Sequence, residues 1–297
     1  MAGLNEILSE ISRSQFDTVR QNYLAKLSDY TKRHTISYYS ASFTKQGLPD
    51  SAAINDGDIS GLMNACHGLT NRETTGLDLI LHTPGGALGA TEAIVSYLRS
   101  MFGNNIRVLV PQIAMSAGTM IALSAKQILV GKQSSLGPID PQIFGIPANL
   151  IIQEFNAAEE GLRRNEMDVA YWQIRLMKYP ATAFYQASLA IERAKANVCF
   201  WLLTNMFEGE NEADNKAKVD AIVSQLSDTN QNKAHDRHIH ADELKSLGLN
   251  VLEFETDQTL QDLVLSVHHS TCITLSNTNA FRIIENHQGR TNILHHN

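Results

Sequence analysis

Ala114-Met115-Ser116-Ala117-Gly118 places a hydroxyl among small neighbours, after an apolar run and before a helix-forming one. A serine on such a strand-to-helix turn projects its Oγ at the carboxyl end of a sheet. There the next residue's N–H and the helix dipole point at the same spot. The chemistry this suits is acyl transfer, with the hydroxyl attacking a carbonyl and the Ala117 amide receiving the charge that develops on its oxygen. Bulk at 114, 117 or 118 would block the carbonyl or the tight turn. Serine is also a preferred helix N-cap, so the pentapeptide by itself leaves both roles open. A second loop, Thr83-Pro84-Gly85-Gly86, shifts the balance. It follows its own apolar run and opens its own helix, and a glycine amide there can approach a ligand oxygen with no Cβ in the way. Gly85-Gly86-x-x-Gly89 is not spaced GxGxxG and lacks a GK[ST] ending, which makes a phosphate cradle its weaker reading.

The other candidates are histidines and one aspartate. His82, beside the glycine loop, reads as a hydrogen-bonded structural residue or as a base. His235, His238 and His240 form an HxxHxH cluster. Zinc would need a further ligand of clear spacing, so surface or packing roles are expected for them, as for His268-His269. Asp140, in Pro138-Ile139-Asp140-Pro141, reads as a turn former. Neither a metal nor a cofactor is expected.

The elements that must position these loops are legible as hydrophobic patterns. Residues 77–82 and 106–110 read as strands, 87–102 and 116–125 as helices, and 127–130 as another strand. Strands without apolar-polar alternation are buried on both faces, as in parallel sheets covered by helices, so the fold class is α/β. Two glycine- or serine-bearing loops on adjacent parallel strands would converge at the carboxyl edge, where such sheets bind ligands. Residues 5–30 carry apolar positions at helical spacing and form an N-terminal arm, residues 1–30. Residues 35–40 are β-prone, and 55–58 are a turn that starts a helix at 59–66. The core spans 31–147. Residues 148–297 are a mainly helical extension completing the same domain, helical to about 226. A polar linker follows at 227–233, then a strand and short helix at 238–249, a helix at about 260–285 and a frayed tail.

The chain has 297 residues, 43% of them hydrophobic, enough for a sizeable core. Its net charge is −7 and its basic residues are dispersed, which excludes an electrostatic footprint for nucleic acid. The first twenty residues are charged too regularly for a signal peptide, and no run approaches the ~20 apolar residues of a membrane span. Three widely spaced cysteines without a CxxC pair fit a reducing compartment, so the cytoplasm is the expected location.

His82-Thr83-Pro84-Gly85-Gly86, then Met115-Ser116-Ala117-Gly118-Thr119, then Ser134-Ser135-Leu136-Gly137-Pro138-Ile139-Asp140-Pro141-Gln142 resemble the serine dehydrogenase proteinase family of the ClpP/SppA superfamily. The resemblance is strongest over 76–142 and continues in His238-Ile239-His240 and residues 260–289. It implies a ClpP/crotonase-like core of stacked ββα units, a nucleophilic Ser116, and an oxyanion hole from the Gly86 and Ala117 amides. It also implies cleavage of a peptide or protein substrate and assembly into a homo-oligomer. A ClpP-like base would be a histidine near the Gly-Pro-Ile-Asp-Pro segment, yet no histidine lies between His82 and His235. SppA-like relatives use a lysine after the nucleophile, which assigns the role to Lys178, with Lys195 and Lys132 as runners-up. A lysine base needs burial to bring its pKa down from about 10.4. Lys178 reads equally as a solvated helix-end residue before Pro180, and His82 stays open as the alternative base. Two further readings share the fold: an acyl-group enzyme polarising a thioester without a nucleophile, and a catalytically silent scaffold.

Overall fold

The computed structural model describes residues 4–11, 15–164, 169–209, 212–228 and 235–296. Their main elements, in chain order, begin with α1 (Leu4–Ile11), α2 (Phe16–Thr31), β1 (His34–Ser40), α3 (Asp58–Cys66) and β2 (Leu77–His82). Next come α4 (Leu88–Phe102), β3 (Ile106–Val110), α5 (Ala117–Leu123) and β4 (Gln127–Val130). The helical segment holds α6 (Ala148–Arg164), α7 (Val169–Leu176), α8 (Ala183–Trp201) and α9 (Glu212–Ser227). Last are α10 (Ala241–Ser246), β5 (Val251–Glu253), α11 (Gln258–Asn277), β6 (Ala280–Asn286) and β7 (Thr291–His295).

Seven strands form one sheet in the order β7-β6-β1-β2-β3-β4-β5. From β1 to β5 every pairing is parallel, while β6 runs antiparallel to β1 and β7 antiparallel to β6. All six residues of β2 are buried, which is why its sequence lacks alternation. Alternation survives in what each residue touches. Leu79, Leu81, Val108 and Val110 belong to the core shared with Ile94 and Leu98 of α4, Ile121 of α5 and Val198 of α8. Ile80, Leu109 and Leu129 face Leu24 and Leu27 of α2 and Val264 and Val267 of α11. Each such aliphatic side chain contributes roughly 1.5–3 kcal/mol by leaving water.

A second tier of short pairings lies beyond the strands' carboxyl ends. Ile113–Ala114 runs parallel to Ser135–Leu136, Thr83 bridges Ala114, Ile54 bridges Gly86, and Leu136 bridges Ile239 antiparallel. These pairings tie the loops to one another.

The C-terminal third departs from the pattern reading. The helix expected to about 285 stops at Asn277, and β6 and β7 replace its end and the frayed tail. The reason is that Arg282 and Glu285, which broke any strand pattern, are buried against partners remote in sequence, Asp58 and Arg20. The strand expected within 238–249 is a single bridge at Ile239, and the sheet strand comes later, at Val251–Glu253. The arm is two helices rather than one. Most of the polar linker at 227–233 lies outside the described residues. Among the described residues no helix is long and apolar enough to cross a membrane.

Candidate active site

The two loops singled out by their residues lie side by side. Thr83 N–H donates to the Ile113 carbonyl at 3.1 Å, and Met115 N–H donates back to the Thr83 carbonyl at 3.0 Å. Ser116 follows with φ +50 and ψ −112, a backbone that an L-residue adopts at a cost on the order of 1–3 kcal/mol. Its hydroxyl does not cap α5, so the N-cap role does not explain a serine there. Thr119 fastens the turn to the next loop: its Oγ1 donates to the Ala114 carbonyl at 2.8 Å and accepts the Gly137 N–H at 2.9 Å.

Gly85 and Gly86 pass so close to their neighbours that no Cβ fits. At Gly85 (φ +101) an added methyl would stand 2.7 Å from the Met115 carbonyl and 2.9 Å from Ser116 Cβ. At Gly86 (φ +156) it would overlap the backbone N and O of Ile54. Ile54 N–H donates to the Gly85 carbonyl at 2.7 Å and its carbonyl accepts from Ala87 N–H at 2.9 Å. Those two bonds bracket Gly86 and turn its own N–H away from Ile54. Among the described residues neither the Gly86 nor the Ala117 amide has a backbone acceptor. Both residues line one cleft with Ser116.

A cleft of about 330 Å³ opens here, lined by Pro84, Gly85, Gly86, Ser116, Ala117, Met120, Ile139 and Ala194, and by His235. His235 Nδ1 lies 3.0 Å from Asp140 Oδ1. Asp140 is 1% exposed and the His235 side chain 21%. A carboxylate oxygen accepts, so Nδ1 is assigned as the donor of this bond. Asp140 Oδ2 is buried with no partner among the described residues.

Of the residues the sequence nominated, Ser116, Gly86 and Ala117 line this one cleft, and Lys178 does not. Lys178 follows α7 and is exposed, so the burial that a lysine base requires is absent within the chain. Lys132 is exposed as well, and neither it nor Lys195 lines the cleft. His82 is buried on the opposite face of the sheet, its ring against Tyr39, Phe43 and His268. Burial pushes its imidazole down to about 4. Sequence reasoning took Asp140 for a turn former and weighed His235 only as a zinc ligand or surface histidine. The signal for their pairing is the antiparallel bridge between Leu136 and Ile239, which a single sequence does not display. Among the described residues no group of three or more His, Cys, Asp or Glu could hold a metal ion.

The family described as ClpP-like SDH-type serine proteinase matches the chain over residues 7–266. Two proteins of Methanocaldococcus jannaschii, both named only as uncharacterized, are similar in part. One is 33% identical over 148 residues, covering 48% of this chain and 50% of the relative. The other is 41% identical over 114 residues, covering 38% of each. The matches thus span half or less of the length of these curated relatives.

Proposed function

Since the chain belongs to the ClpP-like SDH-type serine proteinase family, we propose that it cleaves peptide bonds through a Ser116 acyl-enzyme, with His235 as base, Asp140 as its orienting carboxylate, and the Gly86 and Ala117 amides as oxyanion hole. The observation that carries this reading is the strained Ser116 turn, whose hydroxyl caps nothing and opens into the cleft shared with His235. Ser116 Oγ attacks the scissile carbonyl carbon while His235 Nε2 takes the hydroxyl proton. Charge on the former carbonyl oxygen is held by the two amides. The C–N bond then breaks, the amine leaving with the proton from His235, and Ser116 stays acylated. Water, deprotonated by His235, attacks the acyl carbon; the bond from that carbon to Ser116 Oγ then breaks, His235 returns the proton to Oγ, and the acid product leaves. Asp140 holds the Nδ1 tautomer and balances the imidazolium formed in each half-reaction.

The second tier of short parallel pairings supports a stacked ββα core, and the entry of β5, β6 and β7 into the sheet of β1–β4 supports one domain made from 31–147 and 148–297, with residues 1–30 as its arm. Self-assembly through the helical extension fits its exposed apolar residues Ile174, Met177, Leu189 and Phe200. A cytoplasmic location fits the three free thiols, Cys66, Cys199 and Cys272.

The test is labelling of the purified protein with a fluorophosphonate, followed by peptide mapping. The label should sit on Ser116 and be lost in Ser116→Ala and His235→Ala, while Lys178→Met labels as the parent does. Label on another serine would end the nucleophile assignment, and loss in Lys178→Met but not His235→Ala would return the base to the lysine.

A further inference from the structure

His238 and His240 take no part in the chemistry above, yet both side chains are engaged. His238 Nδ1 lies 2.7 Å from Ser135 Oγ, and His240 Nδ1 donates to the Ser134 carbonyl at 2.9 Å. Between them Ile239 and Leu136 exchange both backbone hydrogen bonds, Leu136 N–H to Ile239 O at 3.0 Å and Ile239 N–H to Leu136 O at 2.8 Å. The two rings stack with centroids 6.3 Å apart and planes 17° apart. Three consecutive residues of one segment are thereby fixed to three of another.

The receiving segment is rigidly held. Ser134 Oγ donates to the Val110 carbonyl at 2.5 Å and accepts the Gly131 N–H at 2.8 Å. Ser135 N–H donates to the Gln112 carbonyl at 2.8 Å, and Ser135–Leu136 pairs with Ile113–Ala114, two residues ahead of Ser116. The histidine segment is therefore referred, through one short pairing, to the strand that carries the nucleophile. Its antiparallel register has a direct consequence. Four residues past Leu136 is Asp140 and four residues before Ile239 is His235, so the pairing that sets 136 opposite 239 also sets Asp140 opposite His235.

From this juxtaposition we infer that His238 and His240 are positioning residues, a clip that sets the register in which His235 meets Asp140 and Ser116. The inference rests on His235 being the base. Both histidines are exposed, so they contribute little apolar burial, and what they add is direction. A slip of one residue in an antiparallel pair turns the side chains to the other face. A base displaced by about 1 Å loses rate on the order of a hundredfold, whereas the affinity of the cleft for its ligand is unchanged.

The experiment is fluorophosphonate inactivation of the full chain, resolved into its maximal rate and its half-saturating concentration. In the double variant His238→Ala, His240→Ala the maximal rate should fall about 10- to 100-fold, with half-saturation and thermal midpoint held. His238→Asn, whose side-chain amide stands where Nδ1 does, should recover most of the rate. The positioning role is overturned if the double variant inactivates at the parental rate, or if His238→Asn, set in the His240→Ala background, restores nothing. Parental labelling in His235→Ala would overturn it by a separate route, because the proposed base would then itself be wrong.

Discussion

Arg282 Nη1 donates to both carboxylate oxygens of Asp58 at 2.8 Å, in a pocket where both side chains are almost wholly excluded from water. The other end of the guanidinium donates to the Ser51, Ala52 and Ala53 carbonyls at 3.1, 2.7 and 2.9 Å. Asp58 also accepts from Tyr38 Oη at 2.7 Å and from Asn55 N–H at 3.0 Å. Ile54, in the middle of that loop, is the residue whose two backbone bonds bracket Gly86. Arg282→Met should leave the Asp58 carboxylate buried without its cation and three carbonyls short of a donor, costing about 3–5 kcal/mol. Urea unfolding reads this directly, and a change below about 1 kcal/mol would contradict it.

Strain at Ser116 leads to a second expectation. Glycine tolerates φ +50, ψ −112 without a Cβ penalty, so Ser116→Gly should raise stability by about 1 kcal/mol while abolishing fluorophosphonate labelling. A variant both unlabelled and destabilised would mean that the turn is relaxed.

Gly86→Ala addresses the oxyanion hole. The added methyl overlaps the Ile54 backbone, so the peptide unit must rotate and carry its N–H out of line. The inactivation rate should drop about 10²- to 10³-fold, the typical effect of losing one donor. An unchanged rate would remove the Gly86 amide from the mechanism.

His82 makes stability depend on acid. Its folded pKa is depressed to about 4 from 6.5, chiefly by burial, so the stability of the neutral ring is present above pH 6.5 and is lost as pH falls towards 4. Near pH 4.5 the loss should be about 2–3 kcal/mol relative to pH 7. His82→Phe, which keeps a ring against Tyr39 and Phe43, should show that much less acid destabilisation in urea titrations at the two pH values. Equal acid sensitivity in both proteins would place the titration elsewhere, with the neighbouring buried His268 the next group to replace.

Self-association is tested by light scattering at micromolar concentration. A mass above that of one chain is expected, reduced by Ile174→Glu and Met177→Glu on the exposed apolar surface. The single-chain mass at every concentration would defeat the proposal.

What the sequence disclosed follows the range of the interactions. Ser116 and the glycine loop were legible because each turn carries its small residues within about five positions of chain, and β2 and β3 because burial leaves a mostly apolar run in each. The contact between His235 and Asp140 was not. The two are separated by 95 residues and meet near one bridged residue pair, which leaves no periodic trace. β6 stayed hidden for the opposite reason: Arg282 and Glu285 look like surface charges until Asp58 and Arg20 arrive from the far end of the chain. Lys178 shows the limit of local context, since apolar neighbours in sequence did not make a buried site in space.

The bond between Asp58 and Arg282 joins residues 224 apart in the chain. During synthesis, then, Ser116 and both glycines leave the ribosome long before the residue that steadies the loop behind Gly86 exists. On the proposed function, the loop that brackets Gly86 is held in place only after β6 has paired with β1. Chains ending before residue 280 should therefore react with fluorophosphonate far more slowly than the full chain.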